Sequence, residues 1–160
     1  MFILQCILGF QSQIIDFNNA FAQADIPSGE PVFVELPKYF KSDGGQDDVV
    51  IRLKKIIYGQ AEAARLWYEK LKNGLLKRDF VMNKVDLCMF MSKTAISVVY
   101  VDDLLFWESS QSKIDNAMKY FKEDGPSYNW EHSKGESVSK FLGIDIKTLD
   151  YGGFQFFKLD

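Results

Sequence analysis

The residues with the most chemistry to offer are Asp102 and Asp103, adjacent carboxylates between the apolar runs Ala95-Ile96-Ser97-Val98-Val99-Tyr100-Val101 and Leu104-Leu105-Phe106-Trp107. β-Branched and aromatic residues on both sides of a two-residue break predict a hairpin with Asp102-Asp103 as its turn. Asp tolerates turn geometry, but Asn-Gly or Asp-Gly suits a two-residue turn better, so turn chemistry alone does not ask for a second Asp. Neighbouring carboxylates at the ends of buried strands repel each other and resist desolvation, and a divalent cation relieves both problems. Mg²⁺ takes oxygen ligands, needs few of them from protein, and leaves positions for water and phosphate. A third carboxylate ending a neighbouring strand completes a centre for two ions about 4 Å apart, suited to phosphoryl transfer. Asp16 is the candidate. On these residues alone, a solvated hairpin tip or another two-metal enzyme such as a nucleotide cyclase stays open.

The elements that must position these acids can be read from periodicity. Residues 13–17 predict a short strand that delivers Asp16. Residues 32–36 alternate Val32, Val34 and Leu36 against Phe33 and Glu35, and residues 49–53 predict a further strand. Pro27-Ser28-Gly29-Glu30-Pro31 is a turn, and residues 41–48 have loop composition. From 61 to 78 the period becomes helical, with Ala64, Trp67, Leu71 and Leu75 as the apolar stripe and Gly74 costing about 1 kcal/mol relative to Ala. A second helix is predicted with Ser112 as N-cap, Asp115 three residues on, Ile114, Ala117, Met118 and Phe121 on one face, and Gly125-Pro126 as its stop. Residues 141–148 and 154–159 predict strands joined through Tyr151-Gly152-Gly153. Strands and helices without strict alternation predict an α+β fold, with helices on one face of an antiparallel sheet.

Composition narrows the function. With 160 residues, fourteen Phe, seven Tyr and three Trp, the chain has enough apolar mass for one packed domain, which excludes disorder. A single histidine, His132, leaves no His/Cys metal cluster and no Ser-His-Asp arrangement. Cys6 and Cys88, far apart in apolar surroundings, match no disulfide framework and fit a reducing compartment. The apolar opening, residues 1–10, lacks the basic lead and small-residue cleavage site of a signal peptide and is too short to span a bilayer; it reads as the stub of a core element. A net charge of −3 argues against a nucleic-acid partner, because phosphate neutralisation leaves a basic footprint.

A resemblance overrides that objection. Tyr100-Val101-Asp102-Asp103 resembles the Y-x-D-D motif of reverse transcriptases, and four further blocks resemble the copia-type LTR retrotransposon enzymes in the expected order. They are Asp16-Phe17-Asn18-Asn19-Ala20-Phe21, Val50-Ile51-Arg52-Leu53-Lys54-Lys55-Ile56-Ile57-Tyr58-Gly59, Arg65-Leu66-Trp67-Tyr68-Glu69-Lys70-Leu71 and Phe141-Leu142-Gly143-Ile144-Asp145-Ile146. The resemblance implies a reverse transcriptase palm over residues 1–160, ferredoxin-like, with partial fingers and with the remaining fingers, the thumb and RNase H outside the chain. It implies Asp16, Asp102 and Asp103 as catalytic ligands of two Mg²⁺ ions, or Mn²⁺. Phe21, Tyr58, Gly59 and Tyr100 would contact the incoming nucleotide, Phe21 as a steric gate against a 2′-hydroxyl, and Phe141, Leu142, Gly143 and Ile144 would grip the primer. Implied partners are an RNA template, a DNA primer, deoxynucleoside triphosphates and other domains of a polyprotein. No membrane is involved, and the implied location is the cytoplasm, in virus-like particles.

The residues at 60–65 depart from the family pattern L-K-Q-A-P-R, reading Gln60-Ala61-Glu62-Ala63-Ala64-Arg65. Glu62 there places negative charge near a triphosphate. Arg52, Lys54 and Lys55 are the expected duplex-lining cations, whereas Lys70, Lys72, Lys77 and Arg78 read better as a solvated helix face, and Trp67, Tyr68 and Leu71 as packing. So few cations predict weak primer-template binding and little or no activity in the isolated chain. A palm fragment that is inactive, acting at most as a binding module, is the alternative.

Overall fold

Strand pairing brings the two acidic segments together. In the computed structural model, which describes residues 2–37, 49–123, 136–150 and 152–158, helix α1 (Phe2–Leu8) leads into strand β1 (Gln11–Asp16) and the short helix α2 (Ala20–Gln23). Strands β2 (Phe33–Glu35) and β3 (Val50–Arg52) pair with each other, and helix α3 (Ala63–Lys77) follows. Next come β4 (Val81–Met82), β5 (Met89–Met91), β6 (Ala95–Tyr100) and β7 (Asp103–Glu108), then helix α4 (Gln111–Glu123). The chain closes with β8 (Glu136–Ser137), β9 (Lys140–Phe141), β10 (Ile144–Thr148) and β11 (Phe154–Phe157). The main sheet has the order β4-β5-β6-β7-β1-β8 with antiparallel neighbours, and β11-β10-β9 form a second antiparallel sheet. The fold is α+β.

β7 lies between β6 and β1 and is buried along Leu104–Glu108, which explains its unbroken apolar run: both faces of the strand are covered. On one face Leu104 and Phe106 join Ile15, Phe17, Trp67, Leu71, Leu75, Ile114 and Met118 in the core under α3 and α4. On the other, Leu105 and Trp107 pack with Val138 and Ile146, and with half-buried Phe2, Phe141 and Phe154. α3 and α4 do share a face, as predicted. The opposite face is closed by the β9–β11 sheet and α1, a second layer absent from the sequence reading.

Several local expectations are corrected. The buried stripe of α3 is Ala63, Trp67, Leu71, Gly74 and Leu75; Ala64, one residue or about 100° further round, faces solvent. α4 starts at Gln111, and Ile114 N–H donates to Ser110 C=O, so Ser112 lies inside the helix and not at its N-cap. The strand expected over 141–148 is two strands, because Leu142 and Gly143 both adopt positive φ and turn the chain. α1 turns Phe2 inward, edge-on to Trp107 and Phe154, whereas Ile3, Ile7 and Leu8 are exposed, so only part of the opening run is core. Cys6 and Cys88 are free thiols, as expected, but exposed and not enclosed by apolar neighbours. The loop at 41–48, Gly125-Pro126, His132 and Tyr151 lie outside the described residues, as does the side chain of Phe121.

Candidate active site

β6 and β7 pair from Ala95↔Glu108 to Tyr100↔Asp103, so the two-residue turn is Val101-Asp102. The expected Asp102-Asp103 turn is thus displaced by one residue, and Asp103 is the first residue of β7. Val101 occupies the first turn position at φ 55°, where two-residue hairpins favour Gly. For a β-branched residue this is strained backbone, costing on the order of 1–3 kcal/mol. The strain is held by contacts from outside the hairpin: Trp67 Nε1 donates to Val101 C=O at 2.6 Å, and Phe17 N–H donates to Asp102 C=O at 2.9 Å.

The same pairing delivers the third acid. β1 runs antiparallel to β7 with Asp16 opposite Asp103. Asp16 is exposed and Asp102 and Asp103 are half-buried. Burial pushes the Asp103 carboxyl above its ordinary range, and the charges of Asp102 and Asp16 push in the same direction. Asp102 and Asp16 are therefore both within electrostatic reach of Asp103, where β1 ends and β7 begins. Among the described residues no three His, Cys, Asp or Glu side chains stand as a closed metal-ligand cluster. Carboxylate oxygens are the donor type that a hard cation such as Mg²⁺ takes.

The other expected site residues fall into two groups. Phe21, in α2 directly after β1, packs on Tyr58 with ring centroids 4.6 Å apart, while Tyr58 stays largely exposed. Gly59 has φ 93° and nothing near the position a Cβ would take, so its backbone angle and not crowding calls for glycine. Tyr100 meets Phe141 edge-on at 6.4 Å, which connects the acid-bearing turn to the β9–β10 hairpin. That hairpin turns at Leu142-Gly143, with φ 51° and 74°, and exposes Leu142 and Ile144 at its tip.

Two features were not foreseen. The first is the Trp67 hydrogen bond; the only sequence signal for it is that a buried indole usually finds an acceptor for its N–H. The second is an ion cluster in which Asp25 bonds Lys55 at 2.5 Å and Lys70 at 3.4 Å, while Lys70 Nζ also donates to Gln23 C=O at 2.6 Å. Lys70 is consequently tucked in rather than solvated, and Lys72 pairs with Glu69. Glu62 pairs with Arg65, which offsets its charge. Arg78 is buried, its guanidinium donating to Gly74 C=O at 3.1 Å.

Residues 8–159 match the family described as reverse transcriptase (RNA-dependent DNA polymerase). The chain belongs to that family. Its relatives include the retrovirus-related Pol polyproteins from transposons RE1 and RE2 of Arabidopsis thaliana, 31% and 32% identical over 142 residues. Each alignment covers 86% of this chain and 9% of the relative. The truncated transposon Ty1-A Gag-Pol polyprotein of Saccharomyces cerevisiae is 29% identical over 83% of the chain and 11% of its own length. The copia-type retrotransposon assignment drawn from the motifs is therefore correct, and this reverse transcriptase segment spans about a tenth of the curated relatives it matches. Among solved structures, apo telomerase from Candida tropicalis superimposes with a TM-score of 0.54 at 12% identity, over 93% of this chain and 32% of that one, a likeness of fold. No helix among the described residues is long and apolar enough to cross a membrane.

Proposed function

We propose that residues 1–160 are the palm, with part of the fingers, of an RNA-directed DNA polymerase, in which Asp16, Asp102 and Asp103 are the ligands of two Mg²⁺ ions. The observation that carries this reading is the register that sets Asp16 opposite Asp103 beside the Val101-Asp102 turn. Bound there, divalent cations supply the charge that activates a primer 3′-hydroxyl and offsets the charge developing on the leaving pyrophosphate. The chain's own residues hold and select. Phe21, backed by Tyr58, blocks the space a 2′-hydroxyl would need, and the open, positive-φ backbone at Gly59 lets the main chain approach a base pair. The exposed tip Leu142–Ile144 supports the primer end, with Phe141 contacting Tyr100 beside the acids.

RNA template, DNA primer and deoxynucleoside triphosphates are the partners, together with other domains of the longer polyprotein. The exposed free thiols suit the reducing cytoplasm, within virus-like particles. Lys55, Lys70 and Lys72 pair with acids of the chain itself, which offsets part of the positive charge that could meet a duplex. The second reading is a palm fragment that does not polymerise; on its side stands the departure from the family pattern at residues 60–65, which places Glu62 there. Mn²⁺ titration of the unaltered chain and of the Asp16→Asn, Asp102→Asn and Asp103→Asn variants tests the metal-ligand reading, and primer extension on an RNA template by the purified chain, with Mg²⁺ and with Mn²⁺, tests whether it polymerises by itself. The expected result is weak or no incorporation by the isolated chain and weakened Mn²⁺ binding in each variant. Equal metal affinity in all four proteins would overturn the metal-ligand reading.

A further inference from the structure

We infer that Trp67 is a positioning residue for the acid-bearing turn, acting through its indole N–H as well as its bulk. Its functional meaning rests on the polymerase reading above. Trp67 is 1% exposed on α3, and its Nε1 is 2.6 Å from the carbonyl of Val101, the residue held at φ 55°. The next carbonyl, that of Asp102, accepts Phe17 N–H at 2.9 Å, and the Phe17 ring meets the Trp67 ring edge-on at 5.3 Å. The contacts close a loop: indole to Val101, through the peptide to Asp102, across to Phe17, and back by ring packing to the indole. Phe17 directly follows Asp16, so the loop ties all three acids to one side chain. Consecutive carbonyls of a strained turn are thereby fixed from a helix and from the neighbouring strand. Bulk alone would fill the core without holding Val101 in its left-handed conformation.

The test replaces Trp67 with 3-benzothienylalanine, which keeps the fused ring and loses the N–H, and separately makes Trp67→Phe. Amide hydrogen exchange of the full 160-residue chain in metal-free buffer is followed at Phe17 and Asp103, with amides of α3 and β5 as internal reference. Loss of the bond is expected to speed exchange at Phe17 and Asp103 about fivefold to tenfold while the reference amides hold. Mn²⁺ half-saturation should rise severalfold in the same variants. Unchanged exchange at Phe17 and Asp103, or a rise shared equally with α3 and β5, would assign Trp67 to packing alone and overturn the proposal. If Trp67→Phe does not fold, the benzothienylalanine variant decides. Because the exchange measurement uses no metal, it tests the turn by itself; failure of the metal reading appears separately, as an Asp102→Asn variant that binds Mn²⁺ like the unaltered chain.

Discussion

Asp103→Asn should make the protein more stable at neutral pH. Asp103 stands directly across from Asp16 and next to Asp102, and like charges directly opposed on antiparallel strands destabilise by about 0.2–1 kcal/mol. Allowing for solvent screening at this half-open edge, the Asp16 and Asp102 repulsions together amount to about 1 kcal/mol. For a chain of 160 residues that is a rise in Tm of about 3 °C. The pH dependence follows from the raised Asp103 pKa, caused first by burial and then by Asp102 and Asp16. A carboxyl whose folded pKa lies above its unfolded value binds its proton more tightly in the folded chain. The folded state is therefore penalised as pH climbs past the ordinary value of 3.8, fully so above the raised one. The gain in Asp103→Asn should vanish near pH 3 and reach its plateau at neutral pH. Asp16→Asn should give a smaller gain, since it removes only the Asp16–Asp103 repulsion, and the double variant less than the sum, because both changes remove that repulsion. Thermal unfolding by circular dichroism at pH 3, 5 and 7 without divalent ions measures all of this. A variant less stable than the parent at pH 7, or a gain as large at pH 3, would refute the reasoning.

Leu142→Asn should stabilise the β9–β10 hairpin by about 0.5–1 kcal/mol, because Asn accepts the left-handed conformation that Leu142 holds at φ 51° and the exposed Leu side chain loses little burial. A fall in unfolding midpoint in urea would contradict it. Asp25→Ala should cost about 0.5–1 kcal/mol at neutral pH by leaving Lys55 and Lys70 without their shared acid. Burial raises the Asp25 carboxyl, but the two lysines outweigh it and the net shift is downward, so this stabilisation is present above the ordinary carboxylate value and lost as pH falls through the lowered one. Urea melts of parent and variant that fail to converge in acid would count against the ion cluster.

How far the sequence could be read depended on whether local pattern or long-range contact decides each feature. Strand β6 and helix α3 were legible because alternation and a four-residue stripe are local, although Ala63 rather than Ala64 completes the stripe once α3 settles on the sheet. The Val101-Asp102 turn was misread by one residue because local propensity rejects a β-branched residue at positive φ, and only the bonds from Trp67 and Phe17 make it tenable. Strands β4, β5 and β8, two or three residues each, carry too little periodicity to register. Lys70 looked like a solvated residue because its partners, Gln23 and Asp25, lie more than forty positions earlier. Of the site, the acids were raised by strand pattern and carboxylate chemistry and then matched by motif resemblance, and the aromatics came from resemblance alone; that Asp16 faces Asp103, and that Phe21 meets Tyr58, only the fold could supply.

The pairing of β1 with β7 also governs when a site can exist at all. Residues 11–16 find their partners at 103–108, so the acidic site is made by a pairing that closes a loop of more than eighty residues. Closing so long a loop is slow, and its entropy must be lost before any pairing repays it. No nascent or proteolytic piece ending before β7 can assemble the three carboxylates, whatever motifs it contains. During synthesis they remain dispersed until the ribosome has released Glu108, so cation binding at this site should report the pairing of β1 with β7.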